Sequence, residues 1–411
     1  MEGEAKTMAK TVCIVGTLDT KGVEFEFIKQ RIEASGSATC VVNAGIVGEP
    51  HFTPDVAASE VAKAAGTSLE ALRREGDRGK SVAAMAEGAA KIVAQLQREG
   101  QIDGIISLGG SAGTTIGTTA MRAVPVGVPK VMVSTLASGD TRPYVDTKDI
   151  TMMYSVVDIA GINSLSRRIL TNAAGAIAGM VNAEVPPAAD KPLIGATMFG
   201  VTTPCVTKTR QILEAAGYEV LVFHATGTGG RAMEDLVKGG FIVGVLDVTT
   251  TELADELVGG VLSAGPRRLE AAGDLGVPQV VAPGALDMVN FGPPDTVPEK
   301  FKARKFYQHN PTVTLMRTTV EENAELGRIM AQKLNNAKGP TTVLIPKRGV
   351  SAIDKEGQPF YSPEAEAAWI ENLKSNLASN VELIEMDNHI NDDAFAAKLA
   401  ETLLGSLRGR G

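Results

Sequence analysis

The strongest constraint on the fold is a pattern that the chain uses twice. "CIVGTLDTKGVEFEFIKQRIEASGSATCVVNAG", starting at Cys13, and "LIGATMFGVTTPCVTKTRQILEAAGYEVLVFHATGTGG", starting at Leu193, run through the same order of features. In each, a short β-branched run ends in glycine and a polar loop, a helical stretch closes at "ASG" or "AAG", and a second strand runs into small polar residues. A strand, a crossover helix and a second strand make a right-handed βαβ unit, and therefore a parallel sheet. The parallel continues, since "DGIISLGGSAGTT" and "PKVMVSTLASGD" are followed in the second half by "GFIVGVLDVTTTELADELVGG" and "PQVVAPGALDMVNF". Two copies at so long a spacing indicate an internal duplication rather than a solenoid, whose repeats span roughly 20 to 50 residues. The predicted fold class is α/β, with two Rossmann-like lobes of parallel sheet flanked by helices.

The chain has 411 residues, more than a single hydrophobic core usually serves, which agrees with two lobes. The boundary falls where a small-residue helix ends near Asn182 and Pro186, Pro187 and Pro192 forbid its continuation. The expected division is therefore 1–184 and 185–411, the first lobe carrying a helical insertion near 53–80, where "TPDVAASEVAKAAG" and "EALRREGDRGK" interrupt the strand rhythm. A net charge of −8 argues against a nucleic-acid partner, which would call for a basic stripe. No run of about 18 apolar residues occurs, and "MEGEAKTMAK" lacks a signal-peptide core, so a cytoplasmic protein without a membrane partner is expected. Cys13, Cys40 and Cys205 are widely spaced and read as buried thiols, not as disulfides or a metal site.

Ligands of open parallel sheets bind beyond the carboxyl ends of the strands, where helix amino termini present free amides. The polar, glycine-bearing loops at these positions in the first lobe are 16–22, 43–45, 109–117 and 134–143. In "GGSAGTTIG", the amides and the hydroxyls of Ser111, Thr114 and Thr115, with Gly109, Gly110 and Gly113, suit a phosphate; a plain strand-to-helix turn is the competing reading. The loop is neither a Walker loop nor a G-x-G-x-x-G fingerprint. In "GTLDTKG", Asp19 suits a magnesium ligand and Lys21 a phosphate contact, while a capped helix start explains the same residues equally well. Ser138, Gly139, Asp140 and Arg142 in "ASGDTRP" suit a polar ligand, with Arg142 able to fork onto phosphate or carboxylate.

The second lobe offers "FHATGTGGRAMEDL", read as a second anion-binding turn with His224 available as acid or base, and Glu234 in the first turn of its helix. The threonines between Asp247 and Glu252 read as a helix cap with hydroxyls to spare. No catalytic triad order, metal-binding histidine cluster or cysteine nucleophile follows from spacing.

Taken together, "CIVGTLDTKGVEFEFIKQRIEASG", "GGSAGTTIGTTAMRAVPVGVPKVMVSTLASGDTRPYV" and "FHATGTGGRAMEDL" resemble the Tm-one-like ATP-binding domain family, from Thr11 to about Leu404. The resemblance implies two Rossmann-like lobes, ATP binding and self-association as a homodimer. It also implies nucleotide contacts at Gly16, Thr17, Asp19, Thr20, Lys21 and Gly109 to Thr115, and that a further barrel-like domain of the plant member has no counterpart here. The expected function is an ATP- and Mg2+-dependent enzyme acting on a polar or carboxylate metabolite between the lobes, by phosphoryl or nucleotidyl transfer. Asp19, Arg142 and His224 would then be metal ligand, substrate anchor and general base. The alternatives are a nucleotide-binding module without turnover, and a lyase or hydrolase built on His224 with ATP incidental.

Overall fold

The computed structural model describes residues 9–409. The chain divides into two compact units between Pro187 and Ala188. In the first, β1 (Thr11–Gly16), β2 (Ala38–Asn43), β3 (Gly104–Gly109), β4 (Lys130–Ser134) and β5 (Thr151–Tyr154) form a parallel sheet in the order β2-β1-β3-β4-β5. Strand alternation sorts the residues onto two faces. Cys13 and Val15 point to one, packing with Ile105 and Met132 against Val93 and Met121 of the helices Arg78–Arg98 and Ser111–Arg122. Val12 and Ile14 point to the other, packing with Ile106 and Val131 against Ile28 and Ile177 of the helices Gly22–Glu33 and Ser164–Asn182. Both faces are covered, which is why β3 and β4 are buried throughout and read as nearly continuous apolar runs. Lys130 is the exception in β4. Its wholly buried amine donates to the carbonyls of Pro125 (2.8 Å) and Val128 (2.7 Å) and to Asp149 (2.7 Å), one acceptor for each donor.

The second unit runs through β6 (Leu193–Met198), β7 (Glu219–His224), β8 (Ile242–Thr249) and β9 (Gln279–Gly284). Next come β10 (Met288–Phe291), β11 (Phe306–Asn310) and β12 (Val313–Arg317), and then β13 (Thr341–Pro346) and β14 (Glu382–Met386). Its parallel sheet has the order β14-β13-β9-β8-β6-β7. The sequence β7-β6-β8-β9-β13 therefore repeats β2-β1-β3-β4-β5, the spatial counterpart of the duplicated sequence pattern. The antiparallel trio β10-β12-β11, inserted between β9 and β13, was not anticipated from the sequence. It arises because the chain reverses at Ala285, whose φ of 58° is left-handed, so that "PQVVAPGALDMVNF" is two strands and not one. Among the described residues, no helix is long and apolar enough to cross a membrane.

Candidate functional site

The order of the first sheet reverses between β1 and β3, the topological position at which a parallel sheet opens a crevice. A cavity of about 750 Å³ lies there, lined by the loops after β1, β2 and β3. The sequence-predicted residues that meet on it are Thr17, Asp19, Thr20, Lys21, Gly109, Gly110, Ser111 and Gly113.

The helix Ser111–Arg122 aims its amino end at this cavity, and no side chain caps it at Gly110. The approach is tight, because a Cβ on Gly109 would come within 2.7 Å of Gly113 Cα. Glycine therefore lets the strand end and the first helical turn touch, leaving the first-turn amides directed outward. The threonines take no part, in contrast to the sequence reading. Thr114 is buried with its hydroxyl 2.7 Å from that of Ser134, and the Thr115 hydroxyl donates to the Ser111 carbonyl at 3.0 Å.

In the loop after β1, the Thr20 hydroxyl donates to that of Thr17 at 2.9 Å, and the amine of Lys21 donates to the carbonyl of Ile159. Gly16 is fitted tightly against the Phe25 ring, into which a Cβ would project. Asp19 Oδ2 accepts the amides of Val47 (2.7 Å) and Gly48 (3.2 Å), tying the loops after β1 and β2 together. Its Oδ1 is buried beside Gly45 with no hydrogen-bond partner. One free carboxylate oxygen suits a single protein ligand to Mg2+, an ion that otherwise takes phosphate and water oxygens. Two guanidinium groups from the segment beyond residue 53 complete the wall. Arg73 Nε donates to the Ile46 carbonyl at 2.6 Å, and Arg78 stands exposed at the start of Arg78–Arg98. The sequence identifies that segment only as a helical insertion and assigns neither arginine; the basic residues on either side of "EGD", Arg73 and Arg74 before it and Arg78 after it, are the available signal.

Other predicted residues lie elsewhere. Ser138, Gly139, Asp140 and Arg142 are exposed and do not line the cavity. Arg142 bonds Asp140 through Nε (2.9 Å) and a terminal nitrogen (2.8 Å), and these bonds hold the Asp140 carboxyl down at about 2. His224 belongs to the second unit, exposed at the end of β7 with its ring 5.5 Å from that of Phe199.

The second unit corrects three expectations at once. Its own switch point, between β6 and β8, is filled by its side chains. Thr197 donates to Asp247 (2.7 Å), the hydroxyls of Thr202 and Thr249 meet at 2.8 Å, and Arg268 bonds Asp247 (2.5 and 2.7 Å) and Glu252 (2.6 Å). The glycine-rich turn after β7 is not an open anion site, because Glu252 Oε1 accepts the amides of Gly227 (2.7 Å) and Gly230 (3.1 Å). An internal carboxylate occupies the place an anion would take. Glu234 is not in the first turn of its helix; it lies farther along Thr228–Lys238, buried, and accepts the Leu269 amide at 2.5 Å. Thr251 does stand at the N-cap of the helix Glu252–Val258, but its hydroxyl does not cap it. Thr249 bonds within the Thr197–Thr202 cluster, and the Thr250 and Thr251 hydroxyls donate to the carbonyls of Ala282 (3.1 Å) and Met288 (3.3 Å).

Two family models cover the chain, the N-terminal domain of uncharacterised protein family UPF0261 over residues 10–186 and the C-terminal domain of the same family over 191–407. A UPF0261 protein of Clostridium tetani is 59% identical over 402 residues, covering 97% of this chain and all of that one. The tomato ToMV resistance protein Tm-1 is 41% identical over 423 residues, which is 97% of this chain and 56% of the tomato protein. Among solved structures, the UDP-N-acetylglucosamine 2-epimerase of Rickettsia bellii aligns over 98% of both chains, at 12% identity and a TM-score of 0.23.

Proposed function

The chain belongs to the uncharacterised protein family UPF0261, and from that premise we propose that its first unit binds ATP with Mg2+ through the phosphates. The observation that carries this reading is the contrast between two equivalent crevices. The one in the second unit is filled by Arg268 and its carboxylates, whereas the first unit leaves an uncapped helix start beside Lys21, Arg73 and Arg78 around about 750 Å³. Outward amides and fixed cations attract a phosphate chain, and the volume is in the range of small-molecule sites. In this reading the Ser111–Gly113 amides hold phosphate oxygens, the arginines neutralise their charge, and Asp19 Oδ1 contacts the ion.

The carboxylates that line the cavity favour binding without turnover. Asp19, Asp77 and Asp158 each accept a backbone amide, at 2.7, 3.0 and 2.8 Å, so one oxygen of each is committed to holding a loop or helix end. Phosphoryl or nucleotidyl transfer to a polar or carboxylate metabolite is the second reading and requires a co-substrate to bring its own acceptor into line. Association of two copies, which the family resemblance implies, is proposed with it and is tested by light scattering.

Calorimetric titration of Mg-ATP into the full chain, repeated with Lys21→Ala, is the direct test. Binding in the micromolar range, about −8 kcal/mol, that weakens in the variant supports the site. No heat at any ATP concentration used overturns it. ATP that stays intact beside candidate metabolites separates the module from the enzyme.

A further inference from the structure

The second unit contains a group of polar atoms that the nucleotide reading does not use. Asp287 follows the turn out of β9, Asp354 lies in the loop after β13, and Glu366 and Trp369 sit on the helix Pro363–Asn376. They surround an internal cavity of about 10 Å³, the size of one water molecule. Asp287, Asp354 and Trp369 are each at most 3% exposed, yet Asp287 Oδ1, Asp354 Oδ1, Glu366 Oε1 and Trp369 Nε1 all lack a hydrogen-bond partner. Buried polar atoms are nearly always satisfied, and several unsatisfied ones around one void point to something that belongs there.

Where they stand, the surrounding groups do not hydrogen-bond the unsatisfied atoms. Ser351 already donates to Asp287 Oδ2 at 2.8 Å, and the Val350 amide to Asp354 Oδ2 at 3.3 Å. Arg317, at the end of β12, donates through Nε to the Phe360 carbonyl (2.7 Å) and through a terminal nitrogen to the Thr318 hydroxyl (2.7 Å), staying 3.6 Å from Asp354 Oδ1. From the loop after β14, His389 faces the Ser351 carbonyl with Nε2 (2.9 Å) and accepts the Asn391 amide with Nδ1 (3.1 Å). The helix Val320–Leu334 contributes only the uncharged Asn323 to the cavity wall. Three carboxyl groups thus face one guanidinium. The unmet demand is three acceptors and one donor. One proton shared between two of the carboxyl groups meets two of the acceptors, and a water accepts from the donor and donates to the third. A metal ion fits less well, because the indole N–H would face it and, among the described residues, no group of acidic, imidazole or thiol side chains has metal-binding geometry.

We propose that this pocket is an internal site for one water molecule and one proton. The water takes the Trp369 N–H and donates to Asp287. The proton comes from solvent, protonates Glu366 and forms a carboxyl-to-carboxylate hydrogen bond with Asp354. Filled, the site fastens the loops leaving β9 and β13 to the helix Pro363–Asn376, at the carboxyl edge of the sheet.

The electrostatics agree. Burial, together with the neighbouring Asp354 charge, pushes the Glu366 carboxyl up to about 9 and that of Asp287 to about 7. An acid whose folded value exceeds its unfolded value binds more protons in the fold. Its contribution is complete below the ordinary carboxyl value of 4.5 and is lost as pH rises through about 9.

Thermal unfolding of the full chain from about pH 6 to about pH 9 should show Tm falling for the natural protein. In Glu366→Gln, whose amide keeps a donor but does not titrate, the slope should be much smaller; equal slopes would overturn the proposal. An infrared titration of the natural protein decides the matter even if the variant does not fold. A carboxylic-acid band, shifted by 13C-glutamate labelling and vanishing with a midpoint near pH 9, supports the site. The absence of such a glutamic-acid band at neutral pH rules it out.

Discussion

Arg268 Nε lies 2.6 Å from Glu252 Oε2, with both side chains wholly removed from solvent. The same guanidinium also bonds Asp247, and Glu252 in turn holds the amides of Gly227 and Gly230, so one cation anchors β8, the turn after β7 and its own loop. Arg268→Met keeps much of the apolar volume and leaves the carboxylates without a counter-charge. The unfolding free energy of the second unit is expected to fall by about 3 to 5 kcal/mol. Urea denaturation should show this deficit at neutral pH and a smaller one in mild acid, where protonation relieves the unpaired carboxylates. A deficit below about 1 kcal/mol at neutral pH would mean that the network contributes little.

The arginines of the first unit separate into two groups. Arg78 lines the cavity and Arg142 is held by Asp140 outside it. Arg78→Ala is expected to weaken ATP by about tenfold or more, as loss of a charged phosphate contact does, and Arg142→Ala to leave affinity unchanged. Calorimetry on the two variants checks the assignment, and the reverse order would move the site to the loop after β4.

Asp19→Asn separates structure from metal binding. Its amide oxygen can still accept from Val47 and Gly48, as Oδ2 does now, while the buried, unpartnered Oδ1 is replaced by a donor. Melting should therefore change little, by no more than about 1 kcal/mol, and the Mg2+ dependence of ATP binding should be lost. If the variant titrates with the same Mg2+ dependence, Asp19 is only a loop tie.

The thiols should react in a fixed order. Cys40 is half-buried, and its hydrogen bond with Cys13 lowers its pKa, whereas that bond and burial raise Cys13. Burial takes Cys205 up to about 12. Because the thiolate is the reactive form, iodoacetamide on the folded protein should modify Cys40 first, leaving Cys13 and Cys205 until denaturant is added. Peptide mass spectrometry reads the order, and early modification of Cys205 would contradict the buried environment of its helix.

What the sequence determined by itself was the architecture. Alternating strand residues such as Val12 to Val15 and the repeated strand, loop and helix order are local periodicities, and burial acts on them segment by segment. The cavity loops after β1 and β3 were legible for the same reason, since glycine and small polar residues at a strand end mark the edge where a parallel sheet binds. Tertiary structure alone decided which of the two crevices stays open. Nothing in "DVTTTEL" tells that Glu252 reaches back to Gly227 and forward to Arg268, or that Arg73 and Arg78 return to the wall of the first. Those pairings join residues far apart in the chain, and only strand order and register bring such charges within hydrogen-bond distance.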